Sequence, residues 1–283
     1  YFKLVRTYGD VPYYDHVLGS ADKDIYKGRD DRGYVMDKVL EDFDFAIANL
    51  PGSWEKLNTR VTKWAALGYA SRAALFEGTF RKYHGMKDAE KYLTACAEYG
   101  KAFIDGAPFS LYSTGATPYR DLFSSVDAKT QEVVLCRHYD MQFGVVHGLG
   151  NQISFGRSSL TRRFVNHYLM ADGTPFQSQE GWQTMQYNQE FNGRDPRMAQ
   201  TIAAPDYVAV GADASSKYYP SCKDYERSGY RPIKYFSDDT HDGATTSTTD
   251  YAIFRYGEVL LNYVEAKAEL GQADQSVIDE TVN

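Results

Sequence analysis

The sequence contains no apolar run of about eighteen residues, which is the length that a membrane-spanning helix requires. It also contains no cluster of lysine and arginine residues, and its formal net charge is −7. Proteins that bind nucleic acids present a basic face to the phosphate backbone. We therefore expect neither a transmembrane helix nor a nucleic-acid-binding surface in this chain.

Cysteine is scarce, because Cys96, Cys136 and Cys222 are the only three in the chain and lie far apart. None belongs to a C-x-x-C pair, the spacing that is typical of zinc knuckles and thiol redox sites. An odd number also excludes a disulfide framework in which every cysteine of this chain is paired. We interpret all three as structural thiols.

The short motifs of common catalytic centres are missing as well, since there is no HExxH, GxSxG, P-loop or GxGxxG. The histidines lack the i, i+4 spacing of a helical metal site. Asp238, Thr240, Asp242 and Gly243 fit the start of a calcium-binding loop, but Thr249 occupies the position where a bidentate glutamate is needed. We therefore predict no catalytic residue, no metal site and no cofactor, and we interpret this segment as a polar turn.

Hydrophobic residues make up 43% and charged residues 24% of the 283 residues, which is typical of a soluble globular protein. Apolar residues recur at helical spacing in five segments, which are 1–8, 34–50, 61–83, 88–103 and 250–271. Short links between the second, third and fourth predict stacked helical hairpins. Trp64, Leu67 and Gly68 fit the opening of a tetratricopeptide repeat, although Ser71 stands where that repeat has tyrosine.

The last of these segments, Asp250 to Gly271, has a clear amphipathic pattern. Its predicted core stripe consists of Ile253, Tyr256, Leu260, Leu261, Val264 and Ala268. Gly271 follows as a stop signal. Arg255 lies three residues before Glu258, so we expect the two to pair on one helix face. We interpret the acidic row that Glu258 begins as a solvated edge.

Residues 107–156 have a different character, because prolines and glycines interrupt them and aromatic residues are scattered through them. One β-like run is predicted from Glu132 to Arg137. Farther along, we predict a short helix from Thr161 to Met170, a turn at 171–175 and an extended segment at 230–236. Long irregular segments in compact domains are usually functional, so we expect ligand binding here.

Several segments resemble sequences of the SusD/RagB family of nutrient-binding outer-membrane lipoproteins, and they occur in the family's order. They are YFKLVRTYGDVP at 1–12, RVTKWAAL at 60–67, MADGTP at 170–175, NGRDPRM at 192–198, YRPIKYF at 230–236 and R-x-x-E-x-L-L-x-Y-x-E-A-x-x-E-L-G at 255–271. Thr59 departs from the pattern, since the family commonly has glycine there. The resemblance extends through the whole chain.

This resemblance implies a mainly α-helical, SusD-like fold with tetratricopeptide-like hairpins and a loop-rich irregular half. The implied domains are a helical scaffold at 1–105, a ligand-binding region at 106–249 and a late helix at 250–283 that returns to the scaffold. The implied protein is not an enzyme. It captures glycans at the cell surface for a SusC-like TonB-dependent outer-membrane transporter. A lipid anchor, absent from this sequence, would be its only membrane attachment. Because the chain opens without a starting methionine, a signal peptide or a lipid-attachment cysteine, we expect an internal fragment of a longer protein.

Candidate ligand-binding residues follow from what sugar recognition needs, which is an exposed aromatic face and amide or guanidinium donors. The residues that we select are Tyr139, Asn151, Phe155 and Arg157 on irregular backbone, and Trp182 and Tyr187 in a glutamine-rich loop. Each aromatic ring would alternatively pack its loop onto the core. Contact positions vary within the family, so the resemblance does not choose between these roles.

Three other functions stay open from the sequence. A peptide-binding member of the same family would pair with its ligand through extended backbone. A glycoside hydrolase or lyase would need two carboxylates about 5–10 Å apart around a cleft. A bare helical scaffold for protein partners would bind no sugar and would leave the aromatic-rich loops unexplained.

Overall fold

A computed structural model describes residues 1–54, 57–154, 158–205, 207, 228–236 and 243–282. Phe155, Arg157 and Cys222 lie outside the described residues, as do Asp238, Thr240 and Asp242 of the calcium-like segment. The chain divides into two compact units: Tyr1–Phe109 with Phe254–Asn283, and Ser110–Ile253. None of the described helices is long and apolar enough to cross a membrane.

Helices dominate the described residues. In chain order they are α1 (Phe2–Tyr8), α2 (Arg32–Asn49), α3 (Lys63–Tyr83), α4 (Ala89–Gly106), α5 (Pro118–Ser124), α6 (Leu149–Ser154), α7 (Arg162–Val165), α8 (Pro196–Ala199), α9 (Tyr256–Glu269) and α10 (Gln275–Thr281). Two strands, β1 (Val133–Arg137) and β2 (Tyr251–Arg255), pair in a two-stranded sheet. This composition confirms the predicted mainly α-helical fold.

The first four predicted helices are confirmed as α1 to α4, each within a few residues at its ends. Side-chain caps fix two of the starts. Asp31 accepts hydrogen bonds from the backbone amides of Gly33 and Tyr34 at the start of α2, and Thr62 accepts one from Ala65 at the start of α3. Gly9 has a φ of +73° and ends α1, a conformation that glycine adopts without steric cost.

Small residues in α3 allow α4 to pack closely against it. A Cβ added at Gly78 would lie 2.7 Å from Leu93 Cγ, so only glycine fits at that crossing. Cys96 is fully buried in the core that these helices share, and burial raises the pKa of its thiol to about 12. Cys136 is also buried, and neither of these two described cysteines forms a disulfide, as predicted for structural thiols.

The predicted late helix is wrong at its beginning, because Tyr251–Arg255 forms strand β2 and α9 starts at Tyr256. The predicted core stripe is therefore misplaced. Ile253, its first member, lies in the strand, where side chains alternate with a period of two. Leu261 is 59% exposed, and the side chains that face the core are those of Val259, Leu260, Asn262, Tyr263 and Ala266.

Glu258 on α9 forms an ion pair with α3 and is not part of a solvated edge. Its Oε1 lies 2.5 Å from Arg72 Nε and its Oε2 lies 2.7 Å from Arg72 Nη2. Arg255 is the last residue of β2, so the helical spacing that predicted its pairing with Glu258 does not apply. Gly271 follows the helix with a φ of +70°, which confirms the predicted stop signal.

The second unit consists of short elements joined by irregular backbone. The predicted β-like run is confirmed as β1, whose first four residues are buried. The predicted helix from Thr161 to Met170 is only the four-residue α7. Arg194 explains the difference, because its Nη2 donates to the carbonyls of Val165 and Tyr168, and a helix reaching Met170 would use the Val165 carbonyl in its own ladder.

The segment at 230–236 is extended where it pairs with residues 201–203. Ile202 and Pro232 form an isolated antiparallel bridge, the Ala203 amide donates to Arg231, and the Ile233 amide donates to Thr201. The predicted extended character is therefore confirmed at its centre. Turns follow at Lys234 and Tyr235.

Candidate functional site

Two regions of the second unit contain the candidate residues that the structure describes. The first surrounds Tyr139, whose half-buried ring packs edge-on against His147 with a centroid distance of 4.5 Å. The Arg137 guanidinium lies 5.1 Å from the ring centroid, within the range of a cation–π contact. The Tyr139 ring is thus fixed on two sides before any ligand binds.

His147 connects Tyr139 to the helix that carries Asn151. The Leu149 amide at the start of α6 donates to His147 Nδ1 at 3.1 Å, and His147 Nε2 lies 2.8 Å from the Thr249 carbonyl. These two partners select the neutral tautomer with the proton on Nε2. Asn151 lies two residues after Leu149 on the same helix, and its role as a ligand contact stays a prediction.

A buried carboxylate holds the other side of this region. Asp250 accepts hydrogen bonds from the backbone amides of Tyr139 and Ala128, and its Oδ1 lies 2.8 Å from His138 Nδ1. Asp127, His138 and Asp250 carry donor atoms within 4.8 Å of one another, a set that could hold a metal ion by ligand type. Because N–H donors already occupy both Asp250 oxygens, we interpret the set as a structural clamp on the loops.

Two apolar side chains beside Tyr139 are strongly exposed and were not selected from the sequence. Phe143 is 78% exposed and Met141 is 50% exposed, in a tight loop closed by the bridge between Asp140 and Val145. Gly144 has a φ of +64° and allows the loop to turn. The Asp-x-x-x-Gly pattern of this turn is the sequence signal that could have indicated an exposed loop tip.

The second region is a pocket of about 440 Å³ that forms between turns. Two 3₁₀ turns, Phe176–Ser178 and Trp182–Thr184, come after the 171–175 turn in the chain and contribute residues to the pocket wall. Its lining residues are Met170, Phe176, Gln179, Glu180, Gly181, Thr184, Met185, Gln189 and Asn192. Trp182 lies beside the pocket and does not line it. Its indole contacts the edge of the Phe176 ring, with the centroids 6.3 Å apart.

One side of this pocket is formed by a buried aromatic ring. Phe176 is only 2% exposed, and the Arg194 guanidinium lies 3.9 Å from its ring centroid. Arg194 is itself buried and donates to the Glu190 carbonyl as well as to the two α7 carbonyls described above. Burial lowers the pKa of Arg194 from its ordinary value. Cation and ring therefore support each other below the pocket.

Amide side chains form much of the polar rim. Gln189 Oε1 accepts a hydrogen bond from the Gln186 backbone amide at 2.9 Å, which leaves its Nε2 as a donor. Within the described residues, the side-chain amides of Gln179 and Asn192 form no hydrogen bond. These three amides were not selected from the sequence, although the glutamine-rich character of the loop was noted.

Tyr187 packs into a small core. Its ring contacts Phe191 and Tyr230, with centroids 5.1 and 5.8 Å apart, and its hydroxyl donates to the Ala203 carbonyl. The Tyr230 hydroxyl donates to the buried Glu190 carboxylate at 2.6 Å, and burial together with this bond raises its pKa. Of the six candidate residues, Tyr187 thus has a clear packing role in the described structure.

Comparison with protein families gives two matches. A model of the SusD family matches residues 124–283, which is more than half of the chain. A SusD-like model described as starch-binding and associating with the outer membrane matches residues 1–75. Comparison with curated proteins gives no match.

Solved structures share the fold. A SusD-like carbohydrate binding protein from Bacteroides fragilis has a TM-score of 0.77 and 20% identity, covering 100% of this chain and 55% of its own. A second SusD-like protein from that organism has a TM-score of 0.73 and 21% identity, covering 98% and 57%. A structure described as containing a xylogluco-oligosaccharide has a TM-score of 0.63 and 17% identity, covering 94% and 51%. The chain spans about half the length of these proteins.

Proposed function

We propose a function from one premise: the chain belongs to the SusD family. The proposal is that it binds oligosaccharides or polysaccharides without cleaving them, at the cell surface. The description of the matching model as associating with the outer membrane supports that location. The printed descriptions of two related structures, a carbohydrate binding protein and a xylogluco-oligosaccharide complex, support a glycan as the ligand class.

The observation that carries the proposal is the pocket between Met170 and Asn192. Sugar rings have apolar faces of C–H groups and rims of hydroxyls. The pocket presents matching groups, because Met170 and Met185 supply apolar surface and amide side chains supply both donors and acceptors. Its volume of about 440 Å³ lies at the lower end of the range for small-ligand pockets.

The carboxylates around the pocket support binding without catalysis. Glu180 is the only carboxylate among its described lining residues. Hydrolysis of a glycosidic bond in most families uses two carboxyl groups about 5–10 Å apart, one as acid and one as base or nucleophile. A glycan seated here would meet only one such group from the described lining.

The Tyr139 region is proposed as a second contact surface for the same glycan class. Its ring is already ordered by His147 and Arg137, so stacking a sugar on it would require little further loss of side-chain entropy. Asn151, Phe155 and Arg157 stay predictions in this surface, and so does Trp182 beside the pocket. The helical unit is proposed to dock on a SusC-like TonB-dependent transporter, with the second unit holding the ligand.

Isothermal titration of the protein against starch, xyloglucan, xylan and mannan oligosaccharides, with chromatography of each mixture, tests the proposal. We expect binding without new products. Asn192→Ala should weaken binding about five- to thirty-fold, since a lost hydrogen bond in a binding site costs about 1–2 kcal/mol. Gln177→Ala is the matched control, because Gln177 is exposed on the same turn and does not line the pocket.

Each alternative outcome has a definite meaning. New sugar products would overturn the binding-protein proposal in favour of a hydrolase or lyase. Absence of a binding signal with every glycan would contradict the glycan proposal and favour a peptide as the ligand. Binding that Asn192→Ala leaves unchanged and Tyr139→Ala abolishes would move the site to the Tyr139 region.

A further inference from the structure

The pocket between Met170 and Asn192 is lined almost entirely by uncharged groups. Its one ionisable side chain among the described lining residues is Glu180, which is exposed. No lysine, arginine or histidine belongs to that lining. The rim therefore consists of amide groups that can bind hydroxyls and of one carboxylate. Such a rim favours an uncharged ligand that is rich in hydroxyl groups.

The neighbouring arginines are already engaged. Arg162 lies 2.9 Å from the Glu190 carboxylate and also donates to the carbonyls of Trp182 and Gln183. Arg194 is buried against the Phe176 ring and donates to three backbone carbonyls. Neither guanidinium presents the open fork that binds a carboxylate or sulfate with two parallel hydrogen bonds. In the described part of the chain, no ion pair compensates the Glu180 charge.

We infer that this pocket takes a neutral sugar residue and discriminates against sugars that carry a carboxylate or a sulfate, an inference that rests on the proposed glycan-binding function. Amides recognise hydroxyl groups as both donors and acceptors, and they carry no charge that needs a counter-ion. An anionic sugar would bring its charge towards Glu180 without a cation to pair with. Like charges placed together at a binding site disfavour the complex strongly.

Gln189 makes the amide recognition directional. Because its Oε1 accepts from the Gln186 backbone amide, its Nε2 is left to donate towards a ligand. Asn192, three residues farther along the same loop, has both side-chain amide atoms available within the described residues. A pair of adjacent hydroxyls on a neutral sugar can use such a donor and an acceptor together. A carboxylate, which only accepts, can use the donors alone.

Paired titrations test the inference. Each neutral oligosaccharide of the starch, xyloglucan, xylan and mannan series is compared with the same oligosaccharide carrying a carboxylate introduced by oxidation of a primary alcohol or by a uronic acid substituent. We expect each neutral member that binds to bind at least about tenfold more tightly than its acidic partner. In Glu180→Gln, the neutral-to-acidic affinity ratio should fall about tenfold.

Glu90→Gln is the matched control for that charge change. Glu90 is exposed on α4 in the helical unit, so its substitution alters the net charge equally and should leave the affinity ratio unchanged. Equal binding of neutral and acidic partners, or an unchanged ratio in Glu180→Gln, would overturn the inference and leave the proposed function intact. Absence of binding in both series would overturn the proposed function and the inference with it.

Discussion

Gly68 allows α3 and β2 to approach closely in the helical unit. A Cβ at Gly68 would lie 2.2 Å from Cε1 and 2.6 Å from Cζ of Phe254. The Phe254 ring cannot move aside easily, because it is 1% exposed and contacts both the Tyr69 ring and the Arg72 guanidinium. Gly68 is the glycine of the tetratricopeptide-like W-x-x-L-G pattern, so that motif marks a real close contact.

Gly68→Ala should therefore destabilise the protein by about 1–3 kcal/mol, the usual cost of overpacking a well-filled core. The measurement is the free energy of unfolding from urea denaturation. Gly19→Ala is the control, because a Cβ at Gly19 meets nothing within 4 Å and its φ is not left-handed. Equal stability of both variants would show that the Phe254 ring moves aside without cost.

Side-chain roles of single residues were harder to predict from the sequence than their secondary structure. Leu261 has an apolar side chain at helical spacing and is nevertheless exposed, because the side chains of Asn262 and Tyr263 point to the core in its place. Tyr187 could equally stack on a sugar or fill a core, and only the positions of Phe191 and Tyr230 favour packing. Such roles depend on partners that are distant in sequence.

At the scale of elements, one buried ionic group joins α2 to α3. Glu77 is fully buried. Its carboxylate accepts from Arg32 Nε at 2.8 and 3.0 Å and from Arg81 Nε at 2.7 Å. Arg32 also stacks on the Phe80 ring, with its guanidinium 3.7 Å from the centroid. The Glu77 carboxylate is thus the counter-ion of two buried guanidinium groups.

Removing that carboxylate charge should be costly. In Glu77→Gln both guanidinium groups stay buried without their counter-ion, so we expect a loss of about 3–5 kcal/mol in the free energy of unfolding. Glu98→Gln on the exposed face of α4 is the control and should change stability by less than about 0.5 kcal/mol. A loss below about 1 kcal/mol in Glu77→Gln would mean that water reaches this group and screens it.

A second ionic contact, between the ends of α3 and α9, predicts a pH dependence. Hydrogen bonds from Lys82 and Tyr83 lower the pKa of Glu269 from its ordinary value of 4.5. The distances are 2.7 Å from Lys82 Nζ to Glu269 Oε2 and 2.6 Å from the Tyr83 hydroxyl to Oε1. The stabilisation is therefore fully present above about pH 4.5 and is lost as the pH falls through the lowered pKa.

Thermal denaturation of Glu269→Gln and of the unsubstituted protein between pH 3 and 7 checks this sign. At neutral pH the variant should be less stable by up to about 1 kcal/mol, the usual limit for an exposed ion pair. The difference should shrink as Glu269 becomes protonated in the unsubstituted protein. Glu90→Gln, on the exposed face of α4, is the control. A stability difference that grows towards acid would contradict the assignment.

Element prediction succeeded where a local pattern sufficed and failed where tertiary contacts decided. Helices α2, α3 and α4 have long apolar stripes and nearby stop signals, and α2 and α3 also have capping side chains at their starts, so the sequence predicts them. The short α7 is limited by Arg194, about thirty residues farther along the chain, and no local pattern contains that information. The pocket beside Trp182 is likewise built from turns whose spacing in sequence does not show that they enclose a cavity.

At the scale of the whole molecule, the order of short sequence motifs along the chain predicted the family correctly. The types of residue in the irregular segments did not identify the ligand contacts with the same certainty. The segments at 1–12, 192–198 and 255–271 each include all or most of a helix and the turn or strand beside it, namely α1, α8 and α9. The family and the mainly α-helical fold are therefore confirmed. The division at 105 and 249 and the selected ligand contacts stay predictions.

The helical unit is assembled from segments that are far apart in the chain, and this affects how the protein is made. Helix α9 packs on α3 and α4 through the Asn262–Ser71 hydrogen bond and the approach of Tyr263 to Gly100. The ribosome completes α4 at Gly106 and α9 only at Glu269, so 269 − 106 = 163 residues separate the two events. At about 5–20 residues per second, the ribosome takes roughly 10–30 s to synthesise the chain between the end of α4 and the end of α9. The whole second unit is therefore synthesised before α9 can pack in the helical unit. Until then, the surface around Ser71 and Gly100 that α9 covers stays exposed to solvent.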